Sequence, residues 1–343
     1  MPSVVSCRDL FYNNERTTDN GPPTFLAMTA QIEKITDPDS GATGRILVSQ
    51  GFNCFSWHPV FDDVSREMLW SVDGVEAGDK RPSSSGIPLL FPFPGRISAA
   101  KFTFAGREYH LQPGDPFGNA IHGFVFNRPW RVAEKSESRI VGEFRASVDD
   151  PSILQHWPAD FRIRVSYEAR GPELVSQIQY MNVGDGPLPC GFATHAYFRL
   201  PLHEGDNVSD TIVTVPVDSY WELEQMVPTG RILPAPQANE LMHGLRLADH
   251  QFDTIFTGLH SNARGEIQTQ ITAPASGRSL TQSFDSSFTQ CVVYTPGHRE
   301  AICMEPYTCV PDAIRLSAER HETGLQILRP GEQRETTIRL HVT

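Results

Sequence analysis

Phe161-Arg162-Ile163-Arg164-Val165-Ser166-Tyr167-Glu168 is the stretch that decides the fold class. Apolar and polar residues alternate in it without a break, a period of two that gives a strand one face for a core and one for water. Arg170-Gly171-Pro172 supplies a turn, and Leu174 to Tyr180 reads as the returning strand. Outward from this hairpin the same period recurs over Lys101 to Leu111, Ile140 to Val148, Thr211 to Val217, Glu266 to Thr272 and Phe288 to Thr295. It returns at Glu335 to Thr343, where Ile338, Leu340 and Val342 share a face after the Pro330-Gly331 turn. Helical periodicity is confined to short pieces such as Asp150 to His156. Strands at this spacing, with turn signals between them, predict an all-β chain built as an antiparallel sandwich or barrel. The loop-like stretches Ala77 to Gly86 and Pro234 to Asn239 are short, and neither a composition shift nor a repeat divides the chain. Residues 1–343 are therefore expected to form a single β-sandwich domain.

Composition narrows the function classes. Among 343 residues, 39% are aliphatic or aromatic and only 20% charged, which excludes a disordered chain. The 26 glycines and 27 prolines favour turns over long helices. The net charge is −12 and no basic run occurs, so no nucleic-acid partner is expected. No apolar stretch approaches the ~20 residues that cross a bilayer, so no membrane partner is expected either. Met1-Pro2-Ser3-Val4-Val5-Ser6-Cys7-Arg8-Asp9 lacks the basic start and apolar segment of a secretory signal. Cys7, Cys54, Cys190, Cys291, Cys303 and Cys309 form no CxxC pair, and free buried thiols in a reducing cytoplasm are the expectation. There is no phosphate loop, no G-x-S-x-G elbow and no H-E-x-x-H pair. The twelve histidines lack short ligand spacing to another His or Cys. Neither a cofactor nor a metal is expected, although a metal site assembled in three dimensions stays open.

Three segments set titratable residues inside apolar, aromatic-rich strands: Asn119 to Trp130, Cys190 to Leu200, and Ala301 to Thr308. His122 or His195 taken alone reads first as a core or edge histidine with a satisfied hydrogen bond. Glu305, between Ala301-Ile302-Cys303-Met304 and Pro306-Tyr307, is more informative, because an unpaired buried carboxylate is costly. A buried salt bridge is the plain alternative.

Together these segments resemble the galactose mutarotase (aldose 1-epimerase) family. The motifs are Ile121-His122-Gly123 with Arg128-Pro129-Trp130, then His195-Ala196-Tyr197-Phe198, and Glu305-Pro306-Tyr307-Thr308 running to Pro311-Asp312-Ala313. Pro88-Leu89-Leu90-Phe91-Pro92 with Gly95-Arg96-Ile97, Trp157-Pro158, Phe252-Asp253-Thr254-Ile255-Phe256 and Leu328-Arg329-Pro330-Gly331-Glu332 also fit, in the family's order, from about residue 45 onward. The resemblance implies a large antiparallel β-sandwich, the family's supersandwich, with a sugar bound on one concave sheet. It implies Glu305 as catalytic base and His195 as catalytic acid, with His122, Arg96 and Asp253 hydrogen-bonding the sugar.

Those residue types suit the chemistry. Interconverting anomers requires taking the C1 hydroxyl proton while protonating the ring oxygen, then reversing both after rotation about C1. A carboxylate is ionised near neutrality and a histidine, with an ordinary pKa of about 6.5, can supply the proton. Two departures stand out. Gly95 replaces an Asn common in free-aldose mutarotases, and Phe124 replaces a second glycine after His122-Gly123. The Phe124 form and Gly86-Ile87-Pro88 lean toward hexose-6-phosphate epimerases, whereas Glu305-Pro306-Tyr307-Thr308 leans toward free aldoses. A phosphate would want clustered arginines, and Lys80, Arg81 and Arg96 are the cations near these segments. A free hexose is the first expectation and a hexose 6-phosphate the second. A non-catalytic carbohydrate-binding sandwich and a glycosidase using Glu305 and Asp253 remain as other classes. The expected partner is the small-molecule sugar, acting on a monomer or homodimer.

Overall fold

The Phe161–Arg170 and Glu173–Asn182 strands pair antiparallel along their whole length, from Phe161 opposite Asn182 to Arg170 opposite Glu173. The computed structural model describes residues 30–343 except 63 and 249, so Cys7 and the Met1 to Asp9 stretch lie outside the described residues. That hairpin supplies the third and fourth strands of a nine-stranded sheet. Its order is Arg131–Lys135, Arg139–Arg145, Phe161–Arg170, Glu173–Asn182, Gln333–Val342, Arg278–Phe284, Ile267–Ala273, Ile212–Thr214 and Leu245–Arg246. The inward residues Phe161, Ile163, Val165 and Tyr167 are fully buried, as the alternation requires.

A second sheet of eight strands faces it. The order is Val227–Pro234, Ser219–Glu224, Asp253–Thr257, Gln290–Tyr294, Ala301–Tyr307, Ala193–Thr194 and Leu89–Leu90, with Tyr197–Arg199 also paired to Ala301–Tyr307. All strand pairs in both sheets are antiparallel. One hydrophobic cluster fills the space between the sheets, joining Val165, Ile338 and Leu340 to Ile302 and Met304. The molecule is a large antiparallel sandwich rather than a barrel.

Ala301–Tyr307 is buried on both faces. Ile302 and Met304 enter the inter-sheet core. The alternate residues face the other way: Cys303 joins Tyr197, Tyr294 and Trp70, and Tyr307 joins Leu90, Trp221 and Val292. Glu305 lies between these two apolar patches, on the same face as Cys303 and Tyr307.

Several local expectations need correction. Lys101 to Leu111 is a hairpin, Lys101–Phe104 and Arg107–His110, because Ala105 and Gly106 take positive φ (49° and 78°) and turn the chain back. Ile140 to Val148 ends as a strand at Arg145 and continues as one turn of helix, Ala146–Asp149. The helical piece at Asp150 to His156 is the 3₁₀ helix Pro151–Gln155, capped by the Asp150 side chain on Ser152 N. Pro234 to Asn239 is not all loop, since helix Ala238–His243 begins there, and Ala77 to Gly86 carries the 3₁₀ turn Pro82–Ser84. Among the described residues no helix is long and apolar enough to cross a membrane. The five described cysteines are unpaired and buried.

Candidate active site

Register puts the acid–base candidates side by side. Ala193 pairs with Tyr307 and Tyr197 with Cys303, so the same antiparallel alignment sets His195 opposite Glu305. His195 Nε2 lies 3.4 Å from Glu305 Oε1, and their side chains keep only 10% and 2% exposure. Two aromatic residues fix the pair. The Tyr197 ring stacks on the imidazole at 4.7 Å and 5°, and Tyr307 Oη donates to Glu305 Oε2 at 3.1 Å. The backbone of His195 is held in turn, its N–H donating to Pro88 O at 3.0 Å.

Burial acts against charge on both partners. It pushes the Glu305 carboxyl well above its ordinary range; the Tyr307 hydrogen bond opposes this, Asp253 adds to it and Arg96 opposes it. Burial pulls His195 down to about 3, with Arg81 and Arg96 pushing the same way. From sequence an imidazole near pKa 6.5 is expected; burial instead favours the neutral form of both partners.

His122 comes to the same place. Its ring meets His195 edge-to-face at 5.6 Å, it is buried, and Nδ1 has no hydrogen-bond partner. Burial, then His195, Arg96 and Arg81, hold it well below the ordinary histidine value. Its backbone is left-handed (φ 68°) and its N–H donates to Gly95 O at 2.7 Å. The following glycine is obligatory, because a Cβ on Gly123 would lie 2.2 Å from Phe91 O.

Arg96 donates from Nε to Asp115 Oδ2 at 2.9 Å, and Asp115 itself accepts from the backbone of Phe117 and Asn119. The Arg96 carbonyl accepts from Asp312 N, which ties Pro311-Asp312-Ala313 to the site wall. Asp253 stands at the edge of the same face, opposite Tyr294 in register. Its side chain is open to solvent, yet enough protein crowds it to raise its carboxyl above the ordinary value, with Arg96 opposing. The five sequence candidates thus gather at one face of one sheet. Sequence reasoning gave no role to Asp115, Tyr197 or Cys303. A polar groove of about 410 Å³ lies elsewhere, on the nine-stranded sheet between Arg164, Gln177 and Thr337.

The aldose 1-epimerase family model matches residues 47–341. The chain belongs to the aldose 1-epimerase family. Galactose mutarotase of Mus musculus is 30% identical over 172 residues, 49% of this chain and 48% of the relative. The chain thus spans about half the length of the first curated relatives it matches. An uncharacterized Escherichia coli protein, YphB, is 26% identical over 271 residues, 76% of this chain and 84% of that protein. In fold, a galactose mutarotase-like protein from Clostridium acetobutylicum superposes with a TM-score of 0.79 at 20% identity, over 92% of this chain and 99% of its own. An aldose epimerase homologue from C. elegans gives 0.74 at 17%, over 92% and 99%.

Within this aldose 1-epimerase frame the two departures have physical reasons. A Cβ on Gly95 (φ 66°) would lie 2.4 Å from Pro311 Cγ, so the close approach of the Pro311-Asp312 segment requires glycine there. Phe124 packs edge-on against Phe93 and Trp157 at 5.5 and 5.8 Å, a packing role beside the site.

Proposed function

We propose that the chain is an isomerase that interconverts the α and β anomers of a free hexose by acid–base ring opening and closure. The observation that carries this is the His195–Glu305 pair, in register and 3.4 Å apart on a nearly dry sheet face. Ring opening needs one group to take the C1 hydroxyl proton and another to protonate the ring oxygen as the C1–O5 bond breaks. For this the pair's proton passes from the Glu305 carboxyl to His195 Nε2 across their 3.4 Å contact. Glu305 then takes the first role and His195 the second, and rotation about C1 and the reverse transfers complete the turnover. The pair must carry one proton in total, which its opposed pKa shifts favour over a wide pH range. Arg96, His122 and Asp253 bind the sugar hydroxyls and ring oxygen, and Asp115 aims the Arg96 guanidinium. Neither a metal nor a redox step enters this chemistry. A sugar-binding module without catalysis would leave a desolvated acid–base pair with nothing to do.

A hexose 6-phosphate is the second reading. It is favoured by Arg81, an exposed cation with no ion pair among the described residues whose charge is felt at His122, His195 and Tyr294. Five buried thiols suit a reducing, cytoplasmic setting. Polarimetry on freshly dissolved α-D-glucose, α-D-galactose and glucose 6-phosphate separates the readings. Faster decay of rotation with a free sugar supports the first, preference for the phosphate supports the second, and no acceleration with any of the three refutes both.

A further inference from the structure

Cys303 is a buried thiol at the site for which the acid–base reading has no use. It precedes Glu305 by two residues on one strand, so both side chains leave the same face. One donor atom from each of His195, Cys303 and Glu305 lies within 4.8 Å of the other two. The His195 Nε2–Glu305 Oε1 separation is 3.4 Å, and His195 Nδ1 has no partner that would fix the tautomer and keep a hydrogen on Nε2.

We propose that His195, Cys303 and Glu305 form a three-donor site for a thiophilic divalent cation of the zinc class, and that the cation blocks the site by occupying its acid and base. Imidazole nitrogen, thiolate sulfur and carboxylate oxygen are the donors that Zn²⁺ and its neighbours accept. Mg²⁺ and Ca²⁺ require oxygen ligands and are excluded by the sulfur. Bonds of about 2.0–2.3 Å in a tetrahedral ion set donors about 3.3–3.8 Å apart. The histidine–carboxylate pair already meets this, and the farthest pair closes with a shift of roughly 1 Å. The Cys303 thiol proton and the Glu305 carboxyl proton both leave to water as the ion binds, and a water completes the fourth position. The blocking rests on the proposed epimerase activity; the cation site does not.

The test has two arms. Metal-free protein titrated with Co²⁺ in the absence of sugar should develop a sulfur-to-cobalt charge-transfer band in the near ultraviolet. Cys303→Ala, or Cys303→Ser if the alanine variant folds poorly, should lack it. A wild-type protein without the band overturns the site. In the anomerisation assay Zn²⁺ should compete with sugar and EDTA should restore the rate, while Mg²⁺ has no effect. Cys303→Ala should keep near wild-type activity in EDTA and require at least about tenfold more Zn²⁺ for half inhibition. Equal zinc sensitivity in wild type and Cys303→Ala overturns the blocking role. Should no sugar be turned over, the cobalt band still decides whether the ion binds, so the two failures are distinguishable.

Discussion

A carboxyl at 1% exposure beside an imidazole at 8% resists charge on either group. That gives the pair an unusual response to pH. Acidification toward His195's value of about 3 adds a second proton, and alkalinity above Glu305's raised value removes the only one. The rate should therefore be bell-shaped with a broad top, its limbs belonging to the pair. Replacing His195 by Asn leaves Glu305 as sole base, which must first lose its own proton. Residual activity in His195→Asn should thus rise with pH, the acid limb displaced upward and the alkaline limb gone. An alkaline limb that persists in this variant would assign the ring-oxygen proton to another group. Arg96 is held by Asp115 through Nε, and on the proposed function its remaining N–H groups bind the sugar. A charged hydrogen bond of this kind is worth about 1.5–3 kcal/mol, so Arg96→Ala should raise KM by roughly 10- to 150-fold with a smaller fall in kcat. Steady-state kinetics with an unchanged KM would place Arg96 outside the sugar site.

The strands around the site work as a set because backbone approaches backbone closely. Gly123 bridges to Phe91 with no room for a Cβ and at φ 78°, so Gly123→Ala must move the His122 segment or the Phe91 strand. A loss of about 1–3 kcal/mol in urea unfolding is expected, together with impaired activity. A variant as stable and active as wild type would show that the segment is not rigid. Much of this layer is legible in the sequence. Once Ala301–Tyr307 is a strand, the alternation of its side chains places Cys303, Glu305 and Tyr307 on one face. What a strand cannot announce is its partner. His195 meets Glu305 through a register between segments over a hundred residues apart, and Arg96 meets Asp115 through a loop, so neither contact leaves a local trace. The six-residue helix Ala313–Ala318 is likewise hidden, because so short a helix is held by tertiary packing of Leu316 and Ile314 rather than by its own periodicity. The histidine's protonation escapes a sequence reading for a related reason: depth of burial belongs to the assembled sheet.

One hydrophobic cluster runs from Ile35 to Val342 and draws on both sheets. We propose from this that the described residues unfold as one unit. Far-ultraviolet dichroism and tryptophan fluorescence should then give coincident denaturation curves, since Trp57, Trp130 and Trp157 lie in that cluster and Trp221 in the patch beyond Glu305. Two separated transitions would divide the chain into independent domains. On the proposed function, the sandwich holds a desolvated base against a sugar's C1 hydroxyl. Glu305→Gln tests this most directly, because glutamine keeps the shape and the Tyr307 hydrogen bond but cannot take the proton. The measurement is NMR magnetisation exchange between the anomers of glucose or galactose at equilibrium, with equal concentrations of wild type and variant. Wild type should accelerate exchange in proportion to its concentration, and a folded Glu305→Gln should lose at least about 10²-fold of that acceleration. A folded Glu305→Gln that exchanges the anomers as fast as wild type would contradict the account.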